Sequence, residues 1–156
     1  MEMPQPNEHH EKLRRFAGTW KGVETMVPSQ WDPQGGDAEA HTVGRTALAG
    51  LSVLVDYEQR RPEGPSFEGH GVYCWDARAE EVVLYWFDSM GMGVDTFRGK
   101  WDGDTIQMRS QNPMGHWRIT ETFQGETART ARMETSNDGE SWTTMFDGRY
   151  ERTAPE

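Results

Sequence analysis

One cysteine, Cys74, stands in 156 residues. A lone cysteine excludes an intramolecular disulfide and any all-cysteine metal site within one chain. Positive charge is scarce: 16 Lys and Arg against 26 Asp and Glu give a net charge of −10, and the adjacent basic pairs are Arg14–Arg15 and Arg60–Arg61. A chain without a basic face has no electrostatic footprint for nucleic acid or for an anionic membrane surface, so neither is expected as a partner. The acidity itself reads as solubility. Long apolar runs are missing too, and nothing approaches the 18 consecutive apolar residues of a spanning helix. The N-terminal MEMPQPNEHHEK has no basic segment leading into an apolar one, which argues against a secretory signal. These absences predict a soluble, cytoplasmic protein.

Apolar residues make up 34% of the chain, a small share, but seven Trp, six Phe and four Tyr are among them. Each aromatic buries far more area than an aliphatic side chain, so a sizeable core is still available. Seventeen Gly and eight Pro punctuate short apolar runs, the profile of an all-β chain. Residues 1–7 read as a flexible polar arm, and 8–152 as one domain. A short helix over EHHEKLRRFAG is expected, with Asn7 as N-cap, Leu13 and Phe16 on one face and Gly18 as the stop. Strands follow at 19–26, 41–48, 51–60, 67–75, 82–89 and onward through FRGKWDGD, HWRITETF, ARTARMETS and TTMFDGRYER. The Pro/Gly-rich segment 27–40 reads as a long loop near one end. Asp102-Gly103 is the strongest hairpin signal. Nine or ten short strands in consecutive hairpins close most easily into an up-and-down antiparallel barrel, which removes exposed edges and can hold one small ligand.

GHGVYCWD, residues 69–76, alternates as a strand, with His70, Val72 and Cys74 on one face and Tyr73 and Trp75 on the other. Glycines on both sides of His70 leave room beside it, so the His70 face is expected to turn into the lumen. Tyr73 and Trp75 then pack outward against the helix, a loop or a second subunit, a patch that favours a homodimer.

FAGTWKG resembles the opening of lipocalin-like barrels, in which a Gly-x-Trp lies near the N-terminus and the Trp plugs the closed end. Trp20 takes that place here. GTWKG also resembles the signature of nitrobindin-like haem barrels. A longer set of stretches, LRRFAGTWKG, ALAGLSVLVDYEQ, FEGHGVYCWD, LYWFDSMG, FRGKWDGD, MGHWRIT and METSNDGESWTTMFDGRYER, resembles the bacterial proteins grouped as domain-of-unknown-function family 1579. The resemblance covers nearly the whole chain and implies a lipocalin-like barrel of the calycin type. It implies no activity.

Within those stretches His70, Asp88, His116 and Arg118 recur on strands, and with Trp86 they are the candidate lining of a ligand pocket. His116 and Arg118 suit a polar head, while Trp86 suits an apolar body. A metal site built from His41, His70, His116 and Asp88 lacks the short local spacing of a metal motif. Nitrobindin-like haem ligation needs a histidine near the last strands, and none follows His116. A Cys74–His70 nucleophile–base pair lies roughly 13 Å apart along a strand, too far for proton transfer. The leading expectation is a barrel that binds a small, partly apolar molecule. The alternatives are an enzyme with a His/Asp pair in the lumen, a haem- or metal-binding barrel, and a scaffold whose tryptophans fill the lumen.

Overall fold

The computed structural model describes residues 1–30 and 32–156. Helix α1 (Glu8–Leu13) is capped by Asn7, whose side chain accepts from the His9 amide, and a single 3-10 turn carries the chain on to Phe16. Ten strands follow: β1 (Gly18–Met26), β2 (Gly36–Ala47), β3 (Ser52–Arg60), β4 (Phe67–Asp76), β5 (Glu81–Asp88), β6 (Asp95–Asp102), β7 (Thr105–Asn112), β8 (Gly115–Gln124), β9 (Ala128–Ser136) and β10 (Thr143–Ala154). Each pairs antiparallel with its sequence neighbours, and β10 pairs with β1 to close the barrel. No helix among the described residues is long and apolar enough to cross a membrane.

The turn chemistry explains the connections. Asp102-Gly103 makes the β6–β7 turn, with Gly103 at φ 61°, a conformation that glycine adopts without the Cβ clash of other residues. Segment 27–40 is not all loop. Strand β2 starts at Gly36, and Asp37 to Ala40 pair with Gly22 to Thr25, the Thr25 hydroxyl meeting the Asp37 carboxylate at 2.8 Å. The loop between β1 and β2 therefore ends at the two positive-φ glycines, Gly35 and Gly36.

The inward rows contain Trp20, Gly22, Glu24 and Met26 on β1, Val55, Tyr57 and Gln59 on β3, and Leu84 and Trp86 on β5. One end is plugged by the N-terminal segment, where Leu13, Phe16 and Trp20 are almost wholly buried and the Trp20 indole N–H donates to the Ala17 carbonyl at 3.2 Å.

On β4 the phase is opposite to the expectation. Gly69, Gly71 and Tyr73 face the lumen, and His70, Val72 and Cys74 face out. The cause is the neighbouring strand: a Cβ on Gly69 would lie 2.2 Å from the Trp86 ring, and one on Gly71 would lie 2.8 Å from Leu84. The glycines make room for β5 side chains inside the barrel. Tyr73 stacks on Phe16 at 4.0 Å between ring centroids and Trp75 stacks on His9 at 3.8 Å. Tyr73 is buried and Trp75 half-buried under the chain's own N-terminal segment, so these two do not form the outward aromatic patch from which a homodimer was expected.

Candidate functional site

The barrel encloses a cavity of about 350 Å³, bounded by Phe16, Tyr73 and Arg129 near the plugged end and by Met26, Asp88, Asp95 and Met145 towards the mouth. It is a space the tryptophans do not fill, within the range of small-molecule pockets. Strand geometry sets its depth: Trp117, Ile119 and Glu121 descend one face of β8, on the order of 13 Å from the first to the last at about 3.3 Å per residue.

The middle of the wall carries a buried carboxylate. Glu24 is 1% exposed, and it accepts from the hydroxyls of both Tyr57 and Tyr150 and from the Gln59 amide at 2.7 Å. The register places it there: Trp20 is inward, so Gly22 and Glu24 follow on the same face of β1. Gly22 and Gly148 flank the cluster, and a Cβ on either would collide with Tyr150. Burial, and the Glu24 charge beside them, push the Tyr57 and Tyr150 hydroxyls far above their ordinary value, so both stay protonated and donate to Glu24, while the Tyr57 oxygen also accepts from the Gln59 amide at 3.2 Å.

The floor is made by Glu121 and Arg129, 4% and 7% exposed. Their closest approach, Nε to Oε1, is 3.4 Å, but the two make no hydrogen bond. The guanidinium lies instead among ring faces, 4.7 Å from the centroid of Trp20 and 4.8 Å from that of Tyr150. Burial is the main cause that pushes the Glu121 carboxyl up. Arg129 opposes it and Glu24 adds to it, and the net direction is upward. Glu121 Oε2, Arg129 Nε and the Thr42 hydroxyl are all buried without a hydrogen-bond partner among the described residues.

Towards the mouth the Trp86 indole N–H donates to Asp88 at 2.9 Å, and Asp95 accepts from Asn112 at 3.2 Å. Past them the β5–β6 loop exposes Met90, Met92 and Val94, with Gly91 and Gly93 at positive φ between them.

Of the five residues predicted to line a pocket, Trp86 and Asp88 bound the cavity. The other three are on the outer surface. His70 pairs there with Asp56, Nδ1 to Oδ1 2.7 Å. His116 sits against Gly139 in the β9–β10 turn. Arg118 forms a two-point ion pair with Glu134 and lies over the Trp142 ring at 4.2 Å. His41 also lies on the outward row of β2, between Glu39 and Val43, so no histidine of the described residues lines the cavity. A lumenal His/Asp pair and histidine-ligated haem in the lumen are therefore both ruled out by placement. Among the described residues no cluster of three or more His, Cys, Asp or Glu is placed to hold a metal ion. The residues that sequence reasoning missed, Glu24, Glu121, Arg129 and Tyr150, carry one legible signal: each charged one sits on an otherwise apolar period-two row, as Glu121 does between Ile119 and Phe123.

A closed ten-stranded barrel with a plugged end and a lined interior is a lipocalin-like barrel. The chain belongs to the family described as Protein of unknown function (DUF1579), which residues 5–152 match. Among solved structures it is similar to Rv2717c from M. tuberculosis, at 12% identity and a TM-score of 0.72 over 94% of this chain and 98% of that one. It is also similar to the S-type phycobiliprotein lyase CPES from Guillardia theta, at 10% identity and a TM-score of 0.62 over 98% and 99%. Identities this low speak to the fold alone. No curated protein matches the sequence.

Proposed function

We propose that this protein binds a small, partly apolar molecule inside its barrel, in the cytoplasm. The observation that carries the reading is the cavity itself, about 350 Å³ of unfilled space walled by aromatic rings and ending on unpartnered buried polar atoms. A barrel folded only as a scaffold has no use for such a floor, because each buried polar group without a partner costs stability. The single cysteine and the acidic surface support the cytoplasmic placement. Trp86 and Asp88 belong to the upper wall of the site, where the indole meets the apolar body of the ligand and the carboxylate fixes the indole.

Native mass spectrometry of freshly purified protein, compared with its denatured mass, tests this. The expected result is extra mass that leaves on denaturation, or a shift when the protein is incubated with small aromatic compounds. A lumen that stays empty in both conditions overturns the reading.

A further inference from the structure

Arg129 is 7% exposed, and its Nε is buried with no hydrogen-bond partner among the described residues, Glu121 Oε1 standing 3.4 Å away. Ring faces at 4.7 and 4.8 Å accommodate its charge but accept nothing from its in-plane N–H groups. The Nε donor is buried without an acceptor, and leaving a charged donor so placed is costly. Arg129 borders the lumen cavity as well as a more open pocket beside Lys21, His41 and Arg149, and the ring walls of the lumen make it the better seat for the missing acceptor. The Glu121 carboxyl stands at the same level with its Oε2 buried and unpartnered, and burial shifts it towards the protonated form that can donate.

The charges around the site choose among acceptors. Glu24 in the middle of the wall balances the charge of Arg129 on the floor, and Asp88 and Asp95 stand nearer the mouth. A carboxylate would add a further negative charge to a cavity already bounded by acids. An ammonium would meet the guanidinium. A carbonyl oxygen accepts from two donors and brings no charge into a low-dielectric site. Above the floor, Tyr57, Trp86, Phe97 and Trp117 wall the cavity with rings that favour a flat, unsaturated body.

Resting on the binding reading above, we propose that the lumen takes a neutral, flat, unsaturated molecule with its carbonyl oxygen seated on Arg129 and Glu121. Three probes sharing one bicyclic body separate the head groups: methyl naphthyl ketone, naphthoate and naphthylmethylammonium. Each is titrated into the full chain near neutral pH, followed by tryptophan fluorescence. The ketone is expected to bind at least about tenfold more tightly than either charged probe, the size of one well-made hydrogen bond to a charged group. Arg129→Met should abolish that preference, while the outer-surface variant His70→Ala should keep it. Should Arg129→Met fail to fold, Glu121→Gln keeps a donor at the same place and is expected to retain the ketone preference.

Naphthoate or the amine binding as tightly as the ketone, or a ketone preference that survives Arg129→Met, overturns the head-group assignment and leaves lumen binding standing. Loss of the ketone preference in a folded Glu121→Gln also overturns the assignment. Failure of all three probes to bind overturns both.

Discussion

At the scale of the residue, the informative positions are charges placed on apolar rows. Glu24 is fully served by three donors, and removing one has a predictable cost. Tyr150→Phe leaves one Glu24 oxygen without its donor in a buried site, so a loss of about 1.5–3 kcal/mol is expected in denaturant unfolding, the range for hydrogen bonds to charged groups. Glu121 behaves oppositely. Its neighbours on other strands are Arg129, Glu24 and Tyr73, and their sum with burial raises its folded-state value above the ordinary 4.5. A raised carboxyl binds its proton more tightly in the folded chain. Its contribution to stability is therefore fully present below the unfolded value and is lost as pH rises through the folded one. Glu121→Gln cannot ionise and is free of that loss. Thermal melts of wild type and variant across mildly acidic to mildly alkaline pH should show the variant gaining on the wild type as pH rises. A gap that is flat with pH would mean that Glu121 ionises as readily inside the barrel as outside.

At the scale of the element, most of what the strands do is written in their pattern, and what is not written is their phase. The hairpin at Asp102-Gly103, the capped helix at Asn7 and the bounds of β3, β8 and β9 follow from local chemistry that needs no partner. On β8 the apolar row Trp117, Ile119, Phe123 is legible, and it turns His116 and Arg118 outward. Placing those two in the lumen follows only if ionisable residues are assumed to mark the interior. On β4 no such row exists, because Gly69 and Gly71 contribute no hydropathy and both faces carry large groups. The inward face is decided by Trp86, a residue on the next strand that fills the space above the glycines. That is tertiary information, absent from any window on β4. It yields a test: Gly69→Ala puts a methyl 2.2 Å from the Trp86 ring, so the indole must move off Asp88. Overpacking of this kind costs about 1–3 kcal/mol. A red-shifted tryptophan emission with weakened ketone binding is expected. Unchanged emission would show that the wall yields elsewhere.

At the scale of the whole molecule, closure makes the barrel a tube, and the N-terminal segment makes the tube a cup. The segment is held by named contacts at several points. Lys12 and Arg15 reach the β6–β7 turn at Gly103 and Asp104, each at 2.9 Å, and Arg152 reaches back to the Arg15 carbonyl at 2.8 Å. Gly44 lets the segment approach so closely that a Cβ there would lie 2.3 Å from the Phe16 carbonyl oxygen. Phe16 is the piece shared by plug and site: it is 2% exposed, stacks on Tyr73, meets Phe123 edge-on at 5.2 Å and borders the cavity. Truncating it removes a large buried ring and lets water reach Arg129 from below. Phe16→Ala should therefore cost about 3–5 kcal/mol in urea unfolding, as buried Phe truncations do, and should weaken the ketone more than it weakens naphthoate. The second effect follows because a hydrated guanidinium no longer needs an uncharged acceptor from the ligand. A cost under about 1 kcal/mol, a size ordinary for surface substitutions, would mean that the barrel stands without its plug. The floor of the site would then belong to the strands alone.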